Sequence, residues 1–189
     1  SHRKRSGETI TLAYDNLHRL TSRSYPTAAD NVAFAYDLLG RRTQASFADA
    51  SHTVAYVWDA AGRLTSTTAG GKTLAYQYDP AGNRTRLTWP ETAFYVTTTY
   101  DALNRPLTGS YPSAPALNVQ YGYDDTSAGN HGQGRLTSIA DASGTLAYRY
   151  DAQGRLTQQT RTLLAVQGQA RSDTLGYAYD LAGRIAHID

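Results

Sequence analysis

Eight times along this 189-residue chain an aromatic residue is followed directly by aspartate, and no other feature restricts the fold as strongly. The pairs are Tyr14-Asp15, Tyr36-Asp37, Trp58-Asp59, Tyr78-Asp79, Tyr100-Asp101, Tyr123-Asp124, Tyr150-Asp151 and Tyr179-Asp180, spaced 22, 22, 20, 22, 23, 27 and 29 residues apart. Three residues after the Asp stands Gly40, Gly62, Gly82, Gly154 or Gly183, with Asn104 and His18 in the same place in two other copies. Arginine follows as Arg19, Arg41, Arg63, Arg105, Arg155 and Arg184, and one step later as Arg84. Thr21, Thr43, Thr65, Thr85 and Thr157 come six places after the Asp. The sixth copy resumes after an insertion, with Gly134-Arg135-Leu136-Thr137 following Asp125 to Gln133. Self-similarity at such a period means one small supersecondary unit stacked on itself.

The unit itself is legible. Asp-x-x-Gly is the pattern of a type I turn, in which the Asp side chain caps the first position and Gly takes the left-handed conformation at the end. Pro80 follows Asp79 where such a turn favours proline, and Asn104 is the next best left-handed residue after Gly. Together they describe a short hairpin loop closed by a bulge. Before the turns, Phe34-Ala35-Tyr36, Tyr56-Val57-Trp58, Tyr76-Gln77-Tyr78, Tyr121-Gly122-Tyr123, Tyr148-Arg149-Tyr150 and Tyr177-Ala178-Tyr179 alternate, so two aromatics share one strand face. Stretches such as Arg63-Leu64-Thr65-Ser66-Thr67 after the turns are strand material too. Asp141-Ala142-Ser143-Gly144 is a tight loop at the other end of the strands. Asp125 to Gln133 and Leu163 to Thr174 read as long loops, and Leu163-Leu164-Ala165-Val166 as loop or strand.

The expected fold is therefore all-β: an array of antiparallel β-hairpin repeats over residues 10–189, forming a long coiled β-sheet strip with no helix of consequence. About eight hairpins give roughly 16 strands, hence a strip on the order of 75 Å by ~20 Å that must twist and have its aromatic face covered. The polar, basic residues 1–9 read as a disordered lead-in or one added by cloning, with a cleavage or targeting signal the other reading. Nothing resembling a capping unit follows the last hairpin, as expected of part of a longer array.

Composition agrees. The chain has 15 Tyr against 3 Phe, 2 Trp and no Met, which suits a sheet apolar over most of its area and wet at its edge. Of 18 basic residues only Lys4 and Lys72 are lysine, and of 16 acidic ones only Glu8 and Glu91 are glutamate. Charges so biased to Arg and Asp hold fixed places, Asp as a turn cap and Arg as a planar fork. A net charge of +2 gives no case for nucleic acid, and no apolar run reaches the ~18 residues of a membrane span. Without cysteine there is neither a disulfide framework nor a thiolate metal site.

The string Tyr-Asp-x-x-Gly-Arg-Leu-Thr, as at Tyr150 to Thr157, resembles the YD repeat of the RHS (rearrangement hot spot) family, which includes bacterial polymorphic toxins, the B and C components of insecticidal toxin complexes, and teneurins. The resemblance implies a β-strip wound into a hollow shell, which in bacterial members encloses a C-terminal toxin domain. It also implies a secreted or cell-surface protein, of bacterial origin. Family shells use many more repeats, and neither the core segment with its self-cleaving aspartates nor a toxin or delivery domain is recognisable, so the resemblance covers wall material. The implied partners are further YD repeats of a parent protein or copies of this chain, an enclosed toxin polypeptide, and glycan. An adhesion module for glycan or protein is the alternative function.

No residue reads as catalytic, cofactor-binding or metal-ligating. His2, His18, His52, His131 and His187 show no i, i+4 ligand spacing and read as turn and loop residues. The loop Gly129-Asn130-His131-Gly132-Gln133-Gly134 suggests a phosphate cradle, yet neither Lys-Ser/Thr nor a helix follows it. One carboxylate per repeat is too few for calcium, and Asp124-Asp125 reads as a solvated pair. The aromatic ladder has two readings, cross-strand packing and stacking against sugar or unfolded polypeptide. Each Arg is expected to pair with the Asp of its own or the next repeat, an exposed contact of small individual worth.

Overall fold

Period-2 patterning and turn chemistry set the architecture, and the computed structural model of the chain shows it strand by strand. It describes residues 2–3, 9–48, 52–91, 94–166 and 169–189. No α-helix occurs among them. The helical turns present are single 3₁₀ turns, as at Ala28–Asp30 and Pro115–Leu117, in loops between repeats. No helix is long and apolar enough to cross a membrane.

The chain divides into two units, Ser1–Phe94 and Tyr95–Asp189, each an antiparallel meander. The first contains β1 (His2–Arg3), β2 (Thr9–Tyr14), β3 (Leu20–Ser24), β4 (Val32–Tyr36), β5 (Arg42–Phe47), β6 (Val54–Trp58), β7 (Leu64–Ala69), β8 (Lys72–Tyr78) and β9 (Arg84–Thr88), each paired with the next. The second contains β10 (Tyr95–Tyr100), β11 (Pro106–Ser110), β12 (Val119–Tyr123), β13 (Leu136–Asp141), β14 (Gly144–Tyr150), β15 (Leu156–Val166), β16 (Gln169–Tyr179) and β17 (Ile185–Ile188), likewise paired in order. Of the lead-in at 1–9, residues 1 and 4–8 lie outside the described residues, while His2 and Arg3 pair with Ile10 and Thr9.

Register sorts the side chains cleanly. In β4 and β6, Val32, Phe34 and Tyr36, then Val54, Tyr56 and Trp58, are half-buried, and the residues between them are exposed. Across the ladder these aromatics oppose residues such as Ala45, Thr67 and Leu64, which places one apolar, aromatic face on the sheet. The other face carries Ala, Ser and Thr, including hydroxyl pairs Thr68–Thr73 at 2.8 Å and Thr99–Thr108 at 2.7 Å. Each unit is a single layer with no interior of its own: among the described residues Ala45 is the one buried apolar side chain.

One stretch departs from the sequence reading. Leu163 to Thr174 is not a long loop; β15 and β16 run 11 residues each, to Val166 and from Gln169. Alternating Thr and Ser make the extension, with Thr160 and Thr162 hydroxyls facing Thr174 and Ser172 across the strands. Residues 156–166 contain neither Gly nor Asn, the residues that most readily turn a chain, so the strand runs on.

Candidate functional site: a clip between successive repeats

Each turn is built around its aspartate. In the second repeat the Gly40 amide donates to the Asp37 carbonyl at 3.0 Å, closing the type I turn, and the Asp37 amide donates to the Arg41 carbonyl at 2.9 Å. Asp37 Oδ1 accepts the Leu39 and Arg41 amides, each at 2.9 Å, and Oδ2 accepts Arg41 Nε at 2.6 Å. The Asp15-Arg19, Asp59-Arg63, Asp101-Arg105, Asp151-Arg155 and Asp180-Arg184 turns repeat this carboxylate–Nε contact at 2.7–2.8 Å. In the fourth turn Asn83 takes the arginine's place, donating to Asp79 Oδ2 at 2.9 Å. The closing residue sits in the left-handed region throughout: φ is 79° at Gly40, 81° at Gly62, 93° at Gly82, 79° at Gly154, 77° at Gly183, and 61° at both Asn104 and His18.

The other half of the guanidinium points forward. Arg19 Nη1 donates to the Asp37 carbonyl at 3.1 Å, Arg41 to the Asp59 carbonyl at 2.7 Å, and Arg63 to the Asp79 carbonyl at 2.7 Å. In doing so each guanidinium lies over the next repeat's aromatic ring: Arg19 over Tyr36 at 4.9 Å, Arg63 over Tyr78 at 5.0 Å, Arg105 over Tyr123 at 4.3 Å, Arg155 over Tyr179 at 4.7 Å. That ring in turn reaches back. Tyr36, Tyr78, Tyr150 and Tyr179 hydroxyls donate at 2.8 Å to the carbonyls of Leu20, Leu64, Leu136 and Leu156. Tyr123 does so to Pro106 at 3.0 Å, and Trp58 Nε1 to Arg42 at 2.9 Å. One aspartate, one arginine and the next aromatic thus form a clip at the junctions carried by Arg19, Arg41, Arg63, Arg105 and Arg155.

The residue whose carbonyl receives the ring, five places after Asp15, Asp37, Asp59, Asp101 and Asp151, could not be assigned a role from sequence. Its register was the signal: it lies opposite the aromatic of its own hairpin, as in Tyr36 with Arg42 and Trp58 with Leu64. The recurring threonine also gains a place. Thr65 and Thr157 are the extra residues of a second bulge, and their hydroxyls donate to the Val57 and Arg149 carbonyls at 3.2 and 3.1 Å.

The sixth repeat shows the clip rearranged around its insertion. Asp124 Oδ1 accepts the Gly134 amide at 2.6 Å, and its carboxylate is held from the preceding repeat by Arg105 at 2.6 Å. Asn130 is buried, taking the Tyr150 amide at 2.8 Å and donating to the Tyr148 carbonyl at 3.2 Å. The Gly132 amide is spent on the Asp125 carbonyl, so this loop turns its donors inward rather than toward a phosphate. Asp125 is a turn and loop cap, bonded to the Ser127 amide and Asn130.

These bonds hold the turn carboxylates below the ordinary range. For Asp15 and Asp59 the largest cause is the backbone amide of Arg19 or Arg63; for Asp37 and Asp151 partial desolvation pushes upward and is outweighed by the Arg41 or Arg155 bonds. Asp79 is lowered chiefly by the Asn83 side chain. Arg105 is raised by its bonds to Asp124 and Asp101. Among the described residues no three His, Asp or Glu side chains are grouped so as to hold a metal ion.

The sequence matches the RHS repeat family at residues 58–92 and 131–166, the first of which contains the whole Asp59–Arg63–Tyr78 junction. No curated protein sequence matches the chain. In fold it is similar to a crystal structure of TcdB2-TccC3 without its hypervariable C-terminal region, at a TM-score of 0.68, with 18% identity over 93% of this chain. A mutant form of the Photorhabdus luminescens Tc holotoxin pore is similar over 98% of the chain, at a TM-score of 0.54 and 17% identity. The chain spans 11% and 12% of the lengths of those two chains.

Proposed function

We propose that this chain, a stretch of RHS repeats, serves as non-catalytic wall: a segment of an RHS-type β-shell that encloses a polypeptide, a C-terminal toxin domain in a secreted bacterial protein. The clip carries this reading. The junctions carried by Arg19, Arg41, Arg63, Arg105 and Arg155 are each completed by groups from two successive repeats, so the array can continue by adding repeats. A single layer with one aromatic face also needs a cover that neither unit supplies, as the inner side of a shell would have. The recurring aspartates are bonded within their own turns.

Protease challenge of the full gene product tests this. A domain following the repeats should survive trypsin while the wall is folded and be lost once the wall is unfolded. Degradation as fast as that of the same domain expressed without the repeats would contradict enclosure.

A further inference from the structure

The aromatic face of the first unit carries a charge imbalance that turn capping does not use. On this face strands β2–β9 place Arg23, Arg42, Lys72 and Arg84, and the strands contain neither Asp nor Glu. The turn aspartates of this unit are bonded instead by the residues four places after them. Opposite the turn aromatic, six hairpins place an aliphatic residue, as in Tyr14 with Leu20 and Tyr150 with Leu156; the second and fourth place Arg42 and Arg84.

Arg42 is the better defined of the two. Its guanidinium lies 5.7 Å from the Phe34 ring centre and 5.0 Å from that of Tyr56, while Arg23, on the far side of β4, lies 5.9 Å from Phe34. A row Arg23–Phe34–Arg42–Tyr56 therefore crosses β3 to β6 on one face. No carboxylate among the described residues pairs with Arg23 or Arg42. Beside Arg42 runs a groove of about 560 Å³ lined by Tyr36, Arg41, Tyr56, Trp58 and Leu64.

We propose that this row docks an acidic, extended segment of polypeptide. The guanidinium groups sit over the rings, within about 6 Å of their centres, where sugar or nucleobase stacking would have to displace them, whereas their N–H donors are forks matched to carboxylates. The guanidinium carbons of Arg23 and Arg42 lie 5.9 and 5.7 Å from the Phe34 ring centre and so at most about 12 Å apart, close to the ~13 Å between residues i and i+4 on one face of an extended chain. Carboxylates at that spacing engage both forks across the strands.

The test is fluorescence anisotropy of a labelled ten-residue oligoglutamate with the 189-residue chain at low salt. Saturable binding is expected, weakened about tenfold by Arg42→Leu and by Arg23→Leu, and unaffected by Arg171→Leu, whose guanidinium is paired with Asp173 at 2.9 Å. Arg42→Leu should fold, since leucine fills that register at Leu20, Leu64, Leu136 and Leu156, and Trp58 bonds only its backbone. Absence of oligoglutamate binding, an equal loss in Arg171→Leu, or tighter binding of oligothymidylate or a sulfated glycan would overturn the proposal.

Discussion

Aspartate in these turns is a hub: one short side chain accepts two amides and a guanidinium while its own carbonyl can take the previous repeat's arginine. Only ionised carboxylate accepts all three, and its lowered pKa records that. A depressed folded-state value means the stabilisation is complete above the ordinary carboxylate range, about pH 4, and is lost as pH falls through the lowered values. Circular dichroism should thus show the sheet intact from pH 5 to 7 and unfolding below about pH 4; a midpoint nearer pH 6 would implicate other groups. The closing residue is judged by backbone alone at Gly62, where a Cβ would meet no atom within 4 Å. Gly62→Val should cost about 1–2 kcal/mol at φ 81°, and Gly62→Asn far less, because Asn104 already holds that conformation. An unchanged melting temperature in Gly62→Val would contradict the turn geometry.

Hairpins as elements were readable from sequence because their signals are local: Asp, Gly and alternating aromatics act within ten residues. The junction was readable only in part. That Arg would meet Asp followed from composition, but the forward bond from Arg41 to the Asp59 carbonyl spans 18 residues and depends on register between strands. The two 11-residue strands β15 and β16 escaped for the opposite reason, since their polar Thr, Ser, Gln and Arg content imitates a loop until cross-strand hydroxyl pairs are seen. Junction strength has a direct probe in Tyr78, whose hydroxyl bonds the Leu64 carbonyl. Tyr78→Phe should destabilise by about 1 kcal/mol, and should add less when combined with Arg63→Ala, because the ring, guanidinium and carbonyl act together. Strict additivity in thermal or denaturant melts would mean that the clip is not cooperative.

At the scale of the whole molecule, the first and last hairpin turns carry clip groups that no described residue completes. Tyr14, over which no guanidinium lies among the described residues, is 57% exposed. Arg184 in the last turn has a side chain 80% exposed, against 34% for Arg155, which covers Tyr179. Ile185–Ile188 form an exposed last strand, and Leu38 and Leu181 stand free at turn tips. Open strands of this kind pair with other chains unless blocked. Light scattering over a concentration series should therefore show self-association, reduced in Arg184→Ala; a strict monomer at high concentration would mean that the ends are closed by some other means. The central claim, that these repeats are wall, is tested most directly by cryo-electron microscopy of the full gene product. The wall account requires residues 9–189 to lie within a continuous β-shell, with Arg184 clipped over the aromatic of a following repeat and polypeptide density inside. A map in which this stretch projects as a free strip, with no enclosed density, would contradict it.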